Sequence, residues 1–439
     1  MRDFRQALPC FQAFQNKFEG LLVAARKRAA RAPVEPAGSP IRLRELTGFG
    51  TNPGNLRMFA YVPEHLPPNA PLVIALHGCT QTADEYDHGT GWSSLADNFG
   101  FAVVYPQQQP ANNPKNCFSW FLQGDIVRGH GEALSIREMV EHAIATFAID
   151  RRKIFVTGLS AGGAMASVML ATYPEVFAGG AIIAGLPYGC ASNVQQAFEA
   201  MFTNQGHAAQ VLGDRVRAAS RHRGPWPKIS VWHGTGDPIV KPSNSEDIIR
   251  QWANAHGLSE SPSYQELIGS HTLRIWSDAN GKALIEAFSI SNMAHGVPLA
   301  TTGQQSCGTA GAFFLDVGIS STHHIARFWR LHESLGEMPH TAAPVLAPIQ
   351  IPTEGGALVI AGTAAEGSHG SVEASLAEDA EGEEWQTRYP LDPNAVIAAA
   401  FKAAGLAVPE IPTTPPGATP RVAPGPIIAA ALKAAGLMR

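Results

Sequence analysis

The sequence lacks several features that would place it in common classes of protein. No apolar segment approaches the roughly 20 residues that a membrane-spanning helix needs. The longest apolar run near the start of the chain is the short LLVAA, so we see no secretory signal peptide, and the sequence by itself favours a cytoplasmic location. An excess of basic charge is also missing. The net charge is −5, which argues against nucleic acid as a general partner.

Cysteine is scarce as well. The 439 residues include five cysteines, and their spacing does not match that of metal ligands. A scaffold built on disulfides is not expected in so large a chain, although one bridge could form. The five positions are Cys10, Cys79, Cys117, Cys190 and Cys307.

Apolar residues are plentiful, and their spacing is informative. They make up 45% of the chain against 16% charged residues, which is enough for a large core. Over residues 41–335, apolar strand patterns such as PLVIALHG and KISVWHG alternate with helical patterns, among them 84–99 and 243–256. A hairpin is predicted to turn at Asn280-Gly281. This alternation predicts an α/β domain with a doubly wound, mainly parallel sheet.

The two ends of the chain have a different character. Residues 1–40 predict a helix followed by a basic linker, and 336–391 predict a linker rich in proline, glycine and acidic residues. In 392–439, the segment VIAAAFKAAGL at 396–406 recurs as IIAAALKAAGL at 427–437. Proline before each copy and glycine near its end are typical of a short helix. We therefore expect a flexible tail with two amphipathic helices that either dock on a hydrophobic surface or partner, or cover the α/β domain.

One stretch, KIFVTGLSAGGAMASVML, carries the strongest chemical signal. A strand pattern changes into a helix pattern around Ser160, and Gly158 and Gly162 remove the Cβ atoms that would collide in so sharp a turn. G-x-S-x-G between a strand and a helix is the nucleophile elbow of α/β-hydrolases. The alternative is a glycine-rich turn that contains an incidental serine. The flanking strand and helix patterns favour Ser160 as a nucleophile.

A serine nucleophile needs a base and an orienting acid, which follow in the order acid, then histidine, in α/β-hydrolases. Asp237 lies in a glycine-rich turn just after the strand KISVWHG, although such an aspartate could also be only a turn former. His295 follows the second arm of the predicted hairpin and is our candidate base. The rivals are His323 and His324, which lie in a predicted helix, and His271, which precedes a strand.

The remaining candidates would contact the substrate. An oxyanion hole needs two N–H groups. We expect these from Ala161, directly after the nucleophile, and from Cys79, in the loop that Gly78 lets turn after the early buried strand. Trp120 and Phe121 could wall a substrate groove, or they could be a pair of core aromatic residues.

Cys79 and Cys117 each follow an early strand, at the edge of the sheet where ligand-binding loops gather. The two loops could meet there and be joined by a disulfide that fixes the oxyanion loop. Two reduced, buried thiols are the alternative, which a cytosolic location would favour.

Several motifs occur in a fixed order along residues 40–332. They are LHGCTQTADEY, NCFSWF, GLSAGGAMASVMLATYPEVFA, WHGTGDPIV and MAHGVPL, with FFLDVGISSTHHIARFW near the end. Taken together, these motifs resemble the poly(3-hydroxybutyrate) depolymerase family of esterases. The resemblance implies an α/β-hydrolase fold with Ser160 as nucleophile, Asp237 as acid and His295 as base.

The family resemblance also implies a reaction. The expected activity is hydrolysis of short-chain polyhydroxyalkanoate esters, polymer or oligomer, through an acyl-enzyme and without metal or cofactor. A second hypothesis is a feruloyl or acetyl-carbohydrate esterase, and a third is a granule-associated interaction protein. Relatives in the family are often extracellular. The sequence shows no obvious Ser/Thr-rich linker or aromatic-rich substrate-binding domain, so attack on crystalline polymer is not expected.

Overall fold

A computed structural model describes residues 42–203 and 206–335, together with residues 20 and 23. The predicted N-terminal helix and linker, except for those two positions, lie outside the described residues. The predicted linker 336–391 and the tail repeats in 392–439 lie outside them as well.

Twelve strands run through the described residues, and ten of them form a single sheet. The sheet order is β1-β2-β4-β3-β5-β6-β7-β10-β9-β8, and β11 and β12 form a small separate parallel pair. The strands are β1 Arg44–Leu46, β2 Arg57–Tyr61, β3 Leu72–Leu76, β4 Ala102–Gln107, β5 Ile154–Leu159, β6 Gly179–Ile183, β7 Lys228–Gly234, β8 Tyr264–Ile268, β9 His271–Ser277, β10 Ala283–Ile290, β11 Val297–Leu299 and β12 Phe314–Asp316.

The six central strands, from β4 through β3, β5, β6 and β7 to β10, are parallel. Every residue of β3 and β5 is buried, which explains why both sequences are nearly continuous apolar runs. The strands at both edges pair antiparallel. The predicted mainly parallel sheet is therefore present, and antiparallel strands extend it on either side.

Nine α-helices lie between and after the strands of the described residues. They are α1 Ala83–Thr90, α2 Trp92–Phe99, α3 Gln123–Ile126, α4 Gly131–Phe147, α5 Ala161–Thr172, α6 Val194–Phe202, α7 Ala209–Ala219, α8 Ser243–His256 and α9 Ser321–Phe328. None of the helices in this part of the chain is both long and apolar enough to cross a bilayer.

The single helix predicted over 84–99 is two helices, which meet at Gly91. This residue has φ 72°, and a Cβ there would lie 2.3 Å from the backbone nitrogen of Gly308. Close approach of a distant loop therefore requires glycine at the point where the helix breaks. The predicted hairpin is present, because β9 and β10 pair antiparallel on either side of the Asn280-Gly281 turn.

The direction of the strands determines where the site can form. β3, β5, β7 and β10 are all parallel members of the sheet. Their carboxyl ends therefore lie along one edge, where open α/β sheets bind ligands. The segments that follow these four ends carry Cys79, Ser160, Asp237 and His295.

Candidate active site

Ser160 lies at the sharp turn between β5 and α5. Its backbone has φ 57° and ψ −116°, a conformation that costs a non-glycine residue about 1–3 kcal/mol. The turn is held because Ser160 N–H donates to Ile183 O on β6 at 2.9 Å and Ala164 N–H donates to Ser160 O at 2.8 Å. This strained turn at the sheet edge is the geometry predicted for a nucleophile.

The two glycines that flank this serine are required by close backbone contacts. A Cβ on Gly158 would lie 2.3 Å from Gly162 O, and a Cβ on Gly162 would lie 2.2 Å from Leu76 O on β3. Both contacts are with backbone atoms, which cannot move aside cheaply. The glycines of the sequence motif thus let the elbow pack against the neighbouring strand.

Asp237 is buried at the end of β7, and hydrogen bonds engage both of its carboxylate oxygens. Oδ1 accepts from the N–H groups of Ile239, at 2.8 Å, and Val240, at 3.0 Å. Oδ2 lies 2.7 Å from His295 Nδ1 and 3.2 Å from His233 Nε2. Burial opposes ionisation of this carboxyl, but the charge of His295 and the hydrogen bonds from both histidines outweigh it and hold the Asp237 pKa well below its usual value.

His295 is buried in the loop after β10. Its Nδ1 faces the Asp237 carboxylate, which can only accept, so Nδ1 carries the hydrogen and Nε2 is left as the basic nitrogen. His295 and Ser160 line the same cavity. Among the described residues no hydrogen bond joins the Ser160 hydroxyl to His295 Nε2, and catalytic hydrogen bonds often tighten only when substrate binds.

The rival histidines lie elsewhere in the fold. His323 and His324 belong to α9, and the His324 ring packs 5.4 Å from the Phe288 ring. Burial lowers the pKa of His324 to about 4. His271 begins β9, and both of its ring nitrogens have backbone partners, Val317 O at 3.1 Å and Ser291 N at 3.2 Å. Neither the helix pair nor His271 lines the cavity that contains Ser160.

The loop after β3 supplies the second predicted N–H donor. His77 Nδ1 donates to Gly78 O at 2.7 Å, and His77 Nε2 accepts from Gln108 N–H at 3.1 Å. Burial lowers the His77 pKa to about 4, so the ring stays neutral and keeps this bonding pattern at neutral pH.

The backbone N–H groups of Cys79 and Ala161 have no acceptor among the described residues. An oxyanion hole requires donors that are free in this way, so that a substrate oxygen can accept from them.

A disulfide joins Cys79 to Cys117, with the two Cα atoms 4.3 Å apart. The bridge that the sequence left open against two reduced thiols is therefore present in the structure. Thr80 N–H also donates to Lys115 O at 2.6 Å, so the same two loops are connected by backbone as well. Cys190 and Cys307 are free.

The cavity beside Ser160 is lined by both polar and apolar side chains. Gln81, Ser160 and His295 are polar, whereas Leu159, Ile239 and Phe313 are apolar. Trp120 is buried and packs edge-on against Phe121, with ring centroids 5.2 Å apart. Neither of these two aromatic residues lines the cavity, and their contact with substrate stays a prediction.

Two polar residues of the site were not singled out from the sequence. His233 contacts Asp237, and Gln81 lines the cavity. Both lie inside motifs that the sequence analysis quoted, WHGTGDPIV and LHGCTQTADEY. Their position four residues before the acid and two after Cys79 was the available signal. No group of three or more potential metal ligands lies within the described ranges.

Comparison with known proteins places this site in a family. The Esterase PHB depolymerase family matches residues 60–265. Poly(3-hydroxyalkanoate) depolymerase C of Paucimonas lemoignei is 48% identical over 295 residues, which are 67% of this chain and 71% of that protein. The chain belongs to the Esterase PHB depolymerase family.

Other relatives of the chain carry names that refer to other kinds of ester. An acetylxylan esterase of Coprinopsis cinerea is 36% identical over 62% of this chain and 72% of its own. Feruloyl esterase B of Talaromyces stipitatus is 32% identical over 58% of this chain and 72% of its own. The family match and these relatives together support an esterase.

A solved structure supports the same fold. The acetyl xylan esterase from Aspergillus awamori superposes with a TM-score of 0.54 at 28% sequence identity, over 59% of this chain and 94% of that one. The predicted α/β-hydrolase fold is therefore confirmed for the matched part of the chain.

Proposed function

We propose that this protein is a serine esterase that uses Ser160, His295 and Asp237 as its catalytic triad. The observation that carries the proposal is that Ser160, on a strained elbow, shares a cavity with His295, whose Nδ1 is 2.7 Å from buried Asp237. A nucleophile, a base and an orienting acid in this relation are the requirements of acyl transfer.

The reaction follows from the hydrogen bonds of the site. Ser160 Oγ attacks the ester carbonyl carbon while His295 Nε2 takes the hydroxyl proton, and Asp237 stabilises the imidazolium that forms. The N–H groups of Cys79 and Ala161 donate to the oxyanion. Collapse of the tetrahedral intermediate releases the alcohol, which receives the proton from Nε2. Water then attacks the acyl-enzyme, and its proton passes through Nε2 to restore the Ser160 hydroxyl.

For the substrate we propose short-chain polyhydroxyalkanoate esters, as oligomer or amorphous polymer. The support is the 48% identity to a poly(3-hydroxyalkanoate) depolymerase, against 36% and 32% for an acetylxylan and a feruloyl esterase. The structural similarity to an acetyl xylan esterase favours acetyl-carbohydrate esters as the second candidate. A role on polymer granules through the tail repeats is a third proposal.

Two measurements test this function. Replacing Ser160 with alanine is expected to abolish ester hydrolysis, by roughly 10⁴–10⁶-fold, with an unchanged melting temperature, because backbone contacts hold the elbow and the hydroxyl does not. Near-normal turnover in this variant would overturn the serine mechanism.

A panel of hydroxybutyrate oligomers, amorphous polymer, acetylated xylan and methyl ferulate then ranks the substrates by kcat/KM. Faster turnover of acetylated xylan or methyl ferulate would reverse the substrate assignment.

A further inference from the structure

Gln81 is a buried residue, and the described part of the chain forms a hydrogen bond with the oxygen of its side-chain amide but not with the nitrogen. The residue is 4% exposed, and its Oε1 accepts from Gly78 N–H at 2.8 Å. The backbone N–H of Gln81 in turn donates to Gly78 O at 3.4 Å. The side chain is thereby folded back over the tight turn that contains Cys79.

The orientation of this amide is fixed by its partner. Gly78 N–H can only donate, so the atom that faces it must be the carbonyl oxygen. The Nε2 group, with its two hydrogens, is consequently directed away from that contact. It is buried and finds no acceptor among the described residues. A buried donor without an acceptor is unfavourable, and a substrate oxygen would remove that cost by accepting its hydrogen bond.

The location of the orphaned amide indicates which substrate atom it meets. Gln81 lines the cavity together with Cys79, Ser160 and His295. Gly78, whose N–H binds Oε1, directly precedes Cys79 in the chain, and Gly78, Cys79 and Gln81 all line the cavity. The Cys79 N–H is the donor already assigned to the oxyanion, and a third donor in the same cavity would act on the same charge.

We propose that Gln81 Nε2 is a third hydrogen-bond donor to the oxyanion, an assignment that rests on the proposed serine mechanism. The amide is held in place by Gly78 N–H before substrate arrives, so no reorganisation is needed as the negative charge develops. Gln81 is then a catalytic residue, and its donation acts on the transition state more than on bound substrate.

The test compares two substitutions of Gln81. Glutamate keeps an acceptor for Gly78 N–H and removes the NH₂ group, and neutral methionine removes both without adding charge. In each variant we expect kcat to fall by roughly 10²–10³-fold with KM little changed, equally for nitrophenyl acetate, butyrate and 3-hydroxybutyrate. A trifluoromethyl ketone, which forms a tetrahedral adduct, is expected to bind more weakly by the same factor as kcat/KM.

Gln107 provides a matched control. It is also a buried glutamine, and its Oε1 accepts from Ala83 N–H at 2.8 Å, but it does not line the cavity. Gln107→Glu is expected to keep the wild-type kcat. Melting temperatures of all variants separate loss of a donor from loss of the fold.

The outcomes distinguish this assignment from the proposed function. If the wild-type enzyme is active and a folded Gln81→Met variant has the same kcat, the role of Gln81 is overturned and the serine mechanism stands. A loss confined to the 3-hydroxybutyrate ester also overturns it, because the amide would then bind the acyl hydroxyl. If the wild-type protein does not hydrolyse esters, both the serine mechanism and the Gln81 assignment are overturned.

Discussion

The disulfide between Cys79 and Cys117 gives a prediction whose size can be worked out. Replacing Cys117 with serine opens a covalent link between the loop after β3 and the loop after β4. Two effects are expected: a loss of stability, because the unfolded chain is no longer cross-linked, and a loss of activity, because the bridge anchors the loop that carries Cys79, a proposed oxyanion donor.

The loss of stability follows from the length of the loop that the bridge closes. The two cysteines are 38 residues apart. Chain entropy then assigns the cross-link about 4 kcal/mol at 25 °C. This is a large share of the roughly 5–15 kcal/mol that holds a typical domain together. The variant is therefore expected to unfold at a clearly lower denaturant concentration than the wild type.

The loss of activity should be smaller than that from deleting a donor. Cys79 N–H remains in the variant, and Thr80 N–H still donates to Lys115 O to hold the two loops together. We therefore expect kcat to fall by less than the roughly 10²–10³-fold that removal of one oxyanion donor costs. KM should change little, because the donor acts on developing charge.

The assay combines denaturant unfolding, steady-state kinetics on nitrophenyl butyrate and thiol counting. Denatured, unreduced wild type should expose no more than three thiols from its five cysteines, because Cys79 and Cys117 are bridged. Cys190 and Cys307 are free, and Cys10 lies outside the described residues. Cys190→Ser, which removes a thiol outside the bridge, is the matched control and should unfold like the wild type. Five thiols in the wild type, or equal stability of Cys117→Ser and the control, would refute the reasoning.

Three further predictions concern the base, a buried carboxyl and the tail. His295→Ala is expected to lose as much kcat as removal of the nucleophile, whereas His324→Ala keeps it if folded, and the opposite result would move the base to α9. Glu286 accepts from Ser230 Oγ at 2.7 Å, and burial raises the Glu286 pKa to about 8. Between about pH 5 and 8 the native state keeps a proton that the unfolded state releases, so stability falls as pH rises, by up to about 1.4 kcal/mol per pH unit. The free energy of unfolding in urea should therefore differ less between pH 5 and pH 8 in Glu286→Gln than in the wild type. An equal pH dependence in the two proteins would contradict this assignment. Deleting 392–439 should leave hydrolysis of small esters nearly unchanged, because none of the proposed triad residues lies there, and it should lower retention on polymer granules. Equal retention would contradict the docking role.

The elbow was predictable because its requirements are local. Gly158, Ser160 and Gly162 lie within five residues, and the strand and helix on either side follow from periodicity. Asp237 and His295 were predictable from chain order after assigned strands. In the structure these two are a hydrogen-bonded pair, and the serine shares a cavity with the histidine.

Contacts between loops were less accessible. The sequence left the state of Cys79 and Cys117 open, because strand patterns do not state which strands are neighbours. The break at Gly91 was missed as well: the left-handed conformation of this glycine ends one helix, and a loop more than 200 residues away packs against it. The sequence also gave no role to His233, whose contact with Asp237 depends on the shape of the turn after β7.

The sequence by itself determined the elements and the elbow, because each of these depends on residues close together in the chain. It also offered Asp237 and His295 as partners of Ser160, because each follows a strand in the expected chain order. The tertiary structure decided which side chains lie together at the sheet edge and which bonding partners each of them has there. Strand order brings the Cys79 loop against the Cys117 loop, and packing leaves Gln81 Nε2 buried beside Ser160 without a partner. Burial and missing partners are properties of the folded surroundings, and no local pattern of residues encodes them.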